Sequence, residues 1–343
     1  MLPRACLLGR VALVLALGGS PRLEFAMAAE FVPQAQDELV PPNAQVEVVW
    51  AQGEFTEGPA ASPFDHCIYF SDIGNSILRF HPGTGEVDLF RQPSGKANGL
   101  MFDGNNRLYA CEGANGGNRR VTVTNYKGQM RTLVDAYQGR AFNSPNDLFV
   151  DSRHRVWFTD PRYVGDEPRE LDFEGVFVVE PTGEVRLATA AVSKPNGILV
   201  SPDLKRLYVA DSSGDPHGNH QLLEFPIRDD GSLGDKRVLF DFGPDRRGID
   251  GMTLDVDGNI YAAAGRGEHS GIYIFDSQGA PLAKIPLPGP PTNCEFGMGD
   301  QVRTLYITGA LGPGHPESGP GSHGLLRVRV AKSAYRGFRL PIQ

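Results

Sequence analysis

The chain contains no apolar stretch long enough to cross a bilayer as a helix. Its best candidate, Val11 to Leu17, falls far short of the roughly 20 residues needed. It also lacks a basic block, and with a net charge of −8 it is not built to track a phosphate backbone. Nucleic acid is therefore not an expected partner. Long segments of 3.6-residue periodicity are missing, which excludes a helical solenoid. No G-x-S-x-G elbow occurs, which disfavours a serine nucleophile.

Cysteine is scarce as well. Of the four, Cys6 lies in an amino-terminal segment that reads as a leader, leaving Cys67, Cys111 and Cys294. An odd number without C-x-x-C spacing is neither a disulfide framework nor a zinc site. Cys67 and Cys111 fall in strand-like runs and read as small buried hydrophobes. Cys294 reads as a turn residue whose thiol would be open to reaction, although a buried role is the simpler reading.

The leader is recognisable by its anatomy. Arg4 and Arg10 precede the apolar run, and Ala26-Met27-Ala28 offers an A-x-A cleavage site. Residues 1–28 are expected to be a signal peptide, 29–44 a lead-in, and 45–343 one domain, periplasmic or secreted.

What the chain has in quantity is turns and a repeat. Its 42 glycines and 27 prolines are spread throughout, as many short strands require. A short apolar segment centred on an aromatic recurs at Tyr69, Tyr109, Trp157, Tyr208, Tyr261 and Tyr306, with spacings of 40, 48, 51, 53 and 45 residues. Asp-Gly-Asn turns such as Asp103-Gly104-Asn105 and Asp257-Gly258-Asn259 precede the aromatic run, and second hairpins follow at 175–188 and 271–285. Two hairpins make a four-stranded antiparallel unit, and six units predict an all-β, six-bladed β-propeller. Residues from about Gln45 to Trp50 are expected to complete the last blade, hiding the open edges.

Eleven to thirteen residues before each aromatic stand Glu57, Asn98, Asn146, Asn196, Asp250 and Asn293. If each opens the innermost strand of its blade, all six meet at one end of the channel. Two carboxylates and several amide oxygens then form a hard-oxygen cage suited to Ca²⁺ or Mg²⁺ and tolerant of Mn²⁺. Asn98 and Asn293 fit a plain turn role equally well, whereas Glu57 has no turn-forming virtue.

The segments FTEGPAASPFDHCIYFSD, FNSPNDLFVDSRHRVWFTDPRY, KPNGILVSPDLKRLYVADS, GIDGMTLDVDGNIYAA and PPTNCEFGMGDQVRTLYITG resemble the bacterial gluconolactonases. These belong to the superfamily of senescence marker protein (regucalcin), the drug-responsive staphylococcal lactonase and the squid-type organophosphate hydrolase. The resemblance runs from about residue 45 to 332. It implies one divalent cation, Ca²⁺ first with Mg²⁺, Mn²⁺ or Zn²⁺ as alternatives, held by Glu57, Asn146, Asn196 and Asp250. It also implies hydrolysis of a small-molecule lactone. Phosphotriester hydrolysis on the same cage and a non-catalytic calcium- or ligand-binding propeller remain open.

Two departures stand out. The second blade reads ACEGANGGNRR, without the His that many gluconolactonases carry there, and Ser144 replaces the Arg of the animal members' substrate clamp. Substrate contacts therefore do not carry over. Asp250 is the first candidate for general base and Asp147 the second. Asn98, Glu112 and Asp160 are candidate substrate contacts, the last two at hairpin ends. The loops after Asp72, Glu112, Asp160, Asp211, Gly265 and Gly309 should wall the pocket. His217, His220, His269, His315 and His323 fall in those loops as ordinary solvated residues.

Overall fold

The computed structural model describes residues 30–335 except Pro216 and Asp245, so the expected leader and cleavage site lie outside the described residues. Six four-stranded antiparallel sheets follow one another around a ring. Their innermost strands are Thr56–Ala61, Ala97–Phe102, Leu148–Val150, Pro195–Val200, Ile249–Leu254 and Pro291–Phe296. Each is followed by the strand that carries the recurring aromatic, in every case at that strand's second or third residue.

Those aromatics are the fold's spacers. Trp157, Tyr208, Tyr261 and Tyr306 have no exposed surface, and Tyr69 and Tyr109 are nearly as buried. Between blades they meet rings edge-on: Tyr69 lies 4.9 Å from Phe102 of blade two, and Tyr261 lies 5.0 Å from Phe296 of blade six. Edge-to-face pairs of this kind add to the large apolar area such rings bury.

The turns inside the first hairpins are pinned by an aspartate at their start. Asp103 Oδ1 accepts the backbone N–H groups of Asn105 and Arg107 at 3.0 and 2.9 Å. Asp151 does the same for Arg153 and Arg155, and Asp255 for Asp257 and Asn259. Asp and Asn favour such turns because their side chains satisfy backbone donors two residues on.

The ring closes through the amino-terminal strand. Glu47–Gly53 pairs antiparallel with His323–Arg329, so blade six combines both ends of the domain. Before it, the lead-in covers the outer edge of blade five. Ala35 N–H donates to Leu282 O, and the Gln36 amide bonds both the N–H and the C=O of Lys284. The strap leaves that exposed strand edge capped.

At the channel, the inner strands crowd together. Five of them carry a register irregularity at or beside the position that opens the strand, at Glu57/Ala60, Ala97/Leu100, Pro195/Ile198, Ile249/Met252 and Pro291/Asn293. A glycine follows the polar residue in four blades, and its missing Cβ is where the next blade sits. A Cβ on Gly58 would lie 2.3 Å from Asn98 O, and one on Gly251 would lie 1.9 Å from the Asn293 side chain. Only the first of these glycines has a left-handed backbone, so Gly251 is required by close approach. The Asn-Gly and Asp-Gly pairs that look like turn formers in the sequence are inter-blade contacts.

Gly251→Ala should therefore destabilise the protein by about 1–3 kcal/mol through overpacking. Gly83→Ala, at an exposed turn where a Cβ would meet nothing within 4 Å, should stay within about 0.5 kcal/mol of wild type. Chemical denaturation of the two variants checks this.

Candidate functional site

A cavity of about 570 Å³ opens at the mouth of the channel. Glu57, Asn98, Asn146, Asn196 and Asp250 all line it, each from a different blade. Asn293 does not; it lines a separate space of only about 20 Å³ deeper in the channel, with Asp147, Thr253 and Glu295. Adjacent residues in extended chain point to opposite sides. Asn146 thus faces the mouth, and Asp147 faces the channel below it.

Asp250 is held on both oxygens. Its Oδ1 accepts from Asn196 Nδ2 at 2.7 Å, and its Oδ2 is gripped by the Arg247 guanidinium, which also donates to Pro291 O. Asn196 is oriented in turn by Tyr163. The Tyr163 hydroxyl donates to Ser212 O at 2.8 Å, so it can only accept from Asn196 Nδ2, at 3.1 Å. Glu57 is buried and accepts its own neighbour's N–H, that of Gly58, at 3.1 Å.

Burial pushes the Glu57 carboxyl well above the usual range, and the charges of Asp250 and Asp147 push it further, against Arg247. Burial also raises Asp250, opposed by Arg247 and Asn196. Asp147 is pushed up to about 7, by burial first and by Asp250. A buried carboxyl raised further by neighbouring carboxylates, as Glu57 is, sits where positive charge is short.

That shortage fits a divalent cation. Among the described residues no three His, Cys, Asp or Glu side chains cluster as a metal site. An ion here would need the amide oxygens of Asn146 and Asn196 besides the two carboxylates, a donor set of hard oxygens.

The carboxylates expected at the rim are elsewhere. Glu112 is buried and bonded to Asn118, Arg120 and Thr122. Asp160 is buried and accepts the backbone N–H groups of Asn143 and Ser144, both at 2.7 Å. Neither lines the cavity. Asp72 and Asp211 make the same latch in their blades, Asp72 to Phe55 N–H at 3.0 Å and Asp211 to Lys194 N–H at 2.9 Å. These hairpin-end aspartates fasten the segments that carry Glu57, Asn146 and Asn196.

Other expectations shift too. Cys294 lies in an inner strand and is buried, not in a turn. His220 and His323 open strands, and His220 alone of the five histidines lines the cavity. The loop after Gly309 contributes nothing to its wall, while those after the other five hairpins do. Sequence reading also passed over Tyr163 and Arg247. The Arg246-Arg247 pair just before the Ile-Asp-Gly-Met motif was the available signal for the second.

Fold and site together define a class, the six-bladed β-propeller with an oxygen-lined cavity at the mouth of its channel. Within it, this chain belongs to the SMP-30/gluconolactonase/LRE-like family, whose model matches residues 55–311. A gluconolactonase from Zymomonas mobilis is 30% identical over 321 residues, covering 86% of this chain and 83% of that one. A pentonolactonase from Haloferax volcanii is 25% identical over 303 residues, covering 84% and 94%. The solved structure of a gluconolactonase from Xanthomonas campestris superposes with a TM-score of 0.70 at 28% identity, covering 88% and 98%.

The crowded carboxylates set a pH dependence. Carboxyls raised in the folded state hold protons that the unfolded chain has released, so their effect on stability worsens as pH rises from the usual carboxylate range through the raised values. In chelator, wild type should melt lower at about pH 8 than at about pH 5.5. Glu57→Gln should flatten that slope and raise the metal-free melting temperature at the higher pH by at least about 2 °C. Calorimetry across pH reads both.

Proposed function

We propose that this chain is a metal-dependent hydrolase that opens a sugar lactone. The observation that carries the reading is the meeting of Glu57, Asn146, Asn196 and Asp250, from four blades, on the floor of one cavity. Membership of the gluconolactonase family and the names of its relatives support the lactone as substrate. A bound divalent cation, Ca²⁺ by donor set, would supply Lewis-acid polarisation of the ring carbonyl.

The chain's own residues have separable parts. Glu57 and Asp250 bring negative charge to the floor, and the Asn146 and Asn196 amides add neutral oxygens. Tyr163 and Arg247 hold Asn196 and Asp250 in orientation. Asp250 is the favoured general base, because its carboxylate faces the cavity where water and substrate enter. Asp147 ranks second, since it faces the channel beneath. Asn98 lines the cavity, half-buried, and is suited to hydrogen-bond a substrate hydroxyl.

Product release from a panel of lactones, a phosphotriester and a blank tests the reading; hydrolysis of the phosphotriester alone would replace it. Under saturating Ca²⁺, Glu57→Gln should recover at least part of its activity, whereas Asp250→Asn should remain down by about 10²-fold or more. Equal recovery of both would reduce Asp250 to a ligand and move the base to Asp147.

Export is part of the same proposal. The Arg-flanked apolar run and the A-x-A site support a periplasmic or secreted mature chain. Mass spectrometry of the native protein should find it shortened by about 28 residues; an intact Met1 counts against export.

A further inference from the structure

The cavity is larger than a single sugar lactone. A six-carbon aldonolactone has about 12 non-hydrogen atoms, and at the ~30 Å³ that one water takes in the liquid it would fill at most about 360 Å³. The cavity holds about 570 Å³, so at least about 200 Å³ is left over, room for a second ring. We infer that the lactone accepted here is glycosylated, a disaccharide aldonolactone whose second sugar lies at the rim. This rests on the lactone reading above and narrows its substrate.

Burial shows where the surplus space lies. Glu57 and Asp250 on the floor are 4% and 8% exposed, whereas Phe55 and Val164, which line the same cavity, are 42% and 58% exposed. The space therefore runs from a closed polar floor to an open apolar rim. In a six-membered aldonolactone the carbonyl carbon and C4 lie across the ring from each other. A carbonyl turned to the floor directs the C4 oxygen to the mouth, and a sugar carried on that oxygen meets the rim.

The rim is held in place by contacts of its own. Phe55 N–H donates to Asp72 Oδ1 at 3.0 Å, and Phe55 O accepts the Ile73 N–H at 3.0 Å, which sets both side chains next to each other on blade one. The Phe55 ring is backed by His323, with centroids 4.7 Å apart and planes inclined by 34°, and its exposed surface borders the cavity. On blade three, the loop that carries Val164 is tied to the loop of blade two, where Gly116 N–H donates to Glu167 Oε1 at 2.8 Å. Little ordering is needed when a ligand arrives, which favours binding.

The mixture of groups at this level suits a sugar better than an alkyl chain. A pyranose presents C–H groups on its faces and hydroxyls around its edge. The C–H groups are attracted to the electron-rich face of a ring such as Phe55. Asn115 of blade two and Ser213 of blade four line the cavity as well, with side chains suited to hydroxyls. An alkyl substituent would strip water from those two without returning a hydrogen bond. A lone sugar lactone seated on the floor would leave Phe55 and Val164 in water.

The test compares glucono-1,5-lactone with its 4-O-glucosyl and 4-O-galactosyl derivatives. Wild type should open the two glycosylated lactones with kcat/KM about tenfold or more above the parent, mainly through a lower KM. Phe55→Ala should bring that preference to within about threefold of unity, and Phe55→Trp should keep it, since an aromatic face remains. Neither substitution touches the backbone latch to Asp72. Equal kcat/KM for parent and glycosylated lactones, a preference unchanged in Phe55→Ala, or a higher kcat/KM for a γ-alkyl lactone than for either disaccharide lactone overturns the inference.

If no lactone is opened faster than in buffer, the lactone reading fails, and the two-ring site is then read by calorimetry with the ring-opened acids. Tighter binding of the 4-O-galactosyl gluconate than of gluconate, weakened in Phe55→Ala, upholds the site. Equal binding overturns it.

Discussion

Neighbouring inner strands approach one another more closely than a methyl group allows, and the site exists because of that. Where Gly251 meets the Asn293 side chain, or Gly58 meets Asn98 O, an extra carbon would force the blades apart. Packing at this density places the strand-opening residue of each blade against the backbone of the next. Two carboxylates and three amides thereby end on one small floor, four of them on inner strands and Asn146 just before its strand. Hairpin-end aspartates in blades one, three and four then hold the segments carrying Glu57, Asn146 and Asn196 through backbone N–H groups, so these positions inherit the rigidity of the sheets.

Such crowding conflicts with stability. Burial raises the proton affinity of Glu57, Asp250 and Asp147 alike; Asp250 and Asp147 raise Glu57 further, Asp250 raises Asp147, and Arg247 opposes the shift at Glu57 and Asp250. A fold under selection for stability alone would replace at least one of these carboxylates. Their retention in a buried position is consistent with the cation site proposed above.

The architecture was legible because a propeller repeats itself. Six aromatics in phase located the second strands, and the turn syntax located the hairpins. The closing strand, expected at about Gln45 to Trp50, runs from Glu47 to Gly53. Of the six polar residues eleven to thirteen positions upstream, five line the cavity, and Asn293 lines the smaller space below it. What stayed hidden was the fate of side chains whose partners are backbone groups. Nothing in the spelling of Glu112 or Asp160 tells whether the carboxylate faces solvent or a neighbouring N–H. The difference between Asn146 and Asp147 was readable in principle, since alternation along an extended chain sends them to opposite sides. Tyr163 and Arg247 act through other residues, and a repeat-based reading has no place for positions occupied in one blade only.

The closing strand also has a kinetic meaning. Glu47 pairs with Arg327, and Thr56 Oγ1 bonds Gly324 O across 268 residues of chain. Such contacts raise the contact order, and their loop-closure entropy is met only when nearly the whole polypeptide is available. Five blades assemble wholly from near neighbours, whereas the sixth also needs Glu47–Gly53 from the other end of the domain. Ring closure is therefore expected to come late in folding. Until it happens, the inner strands of blades six and one lack the packing between them that sets Glu57 in place, so the chain is nearly folded before it can bind anything at its mouth.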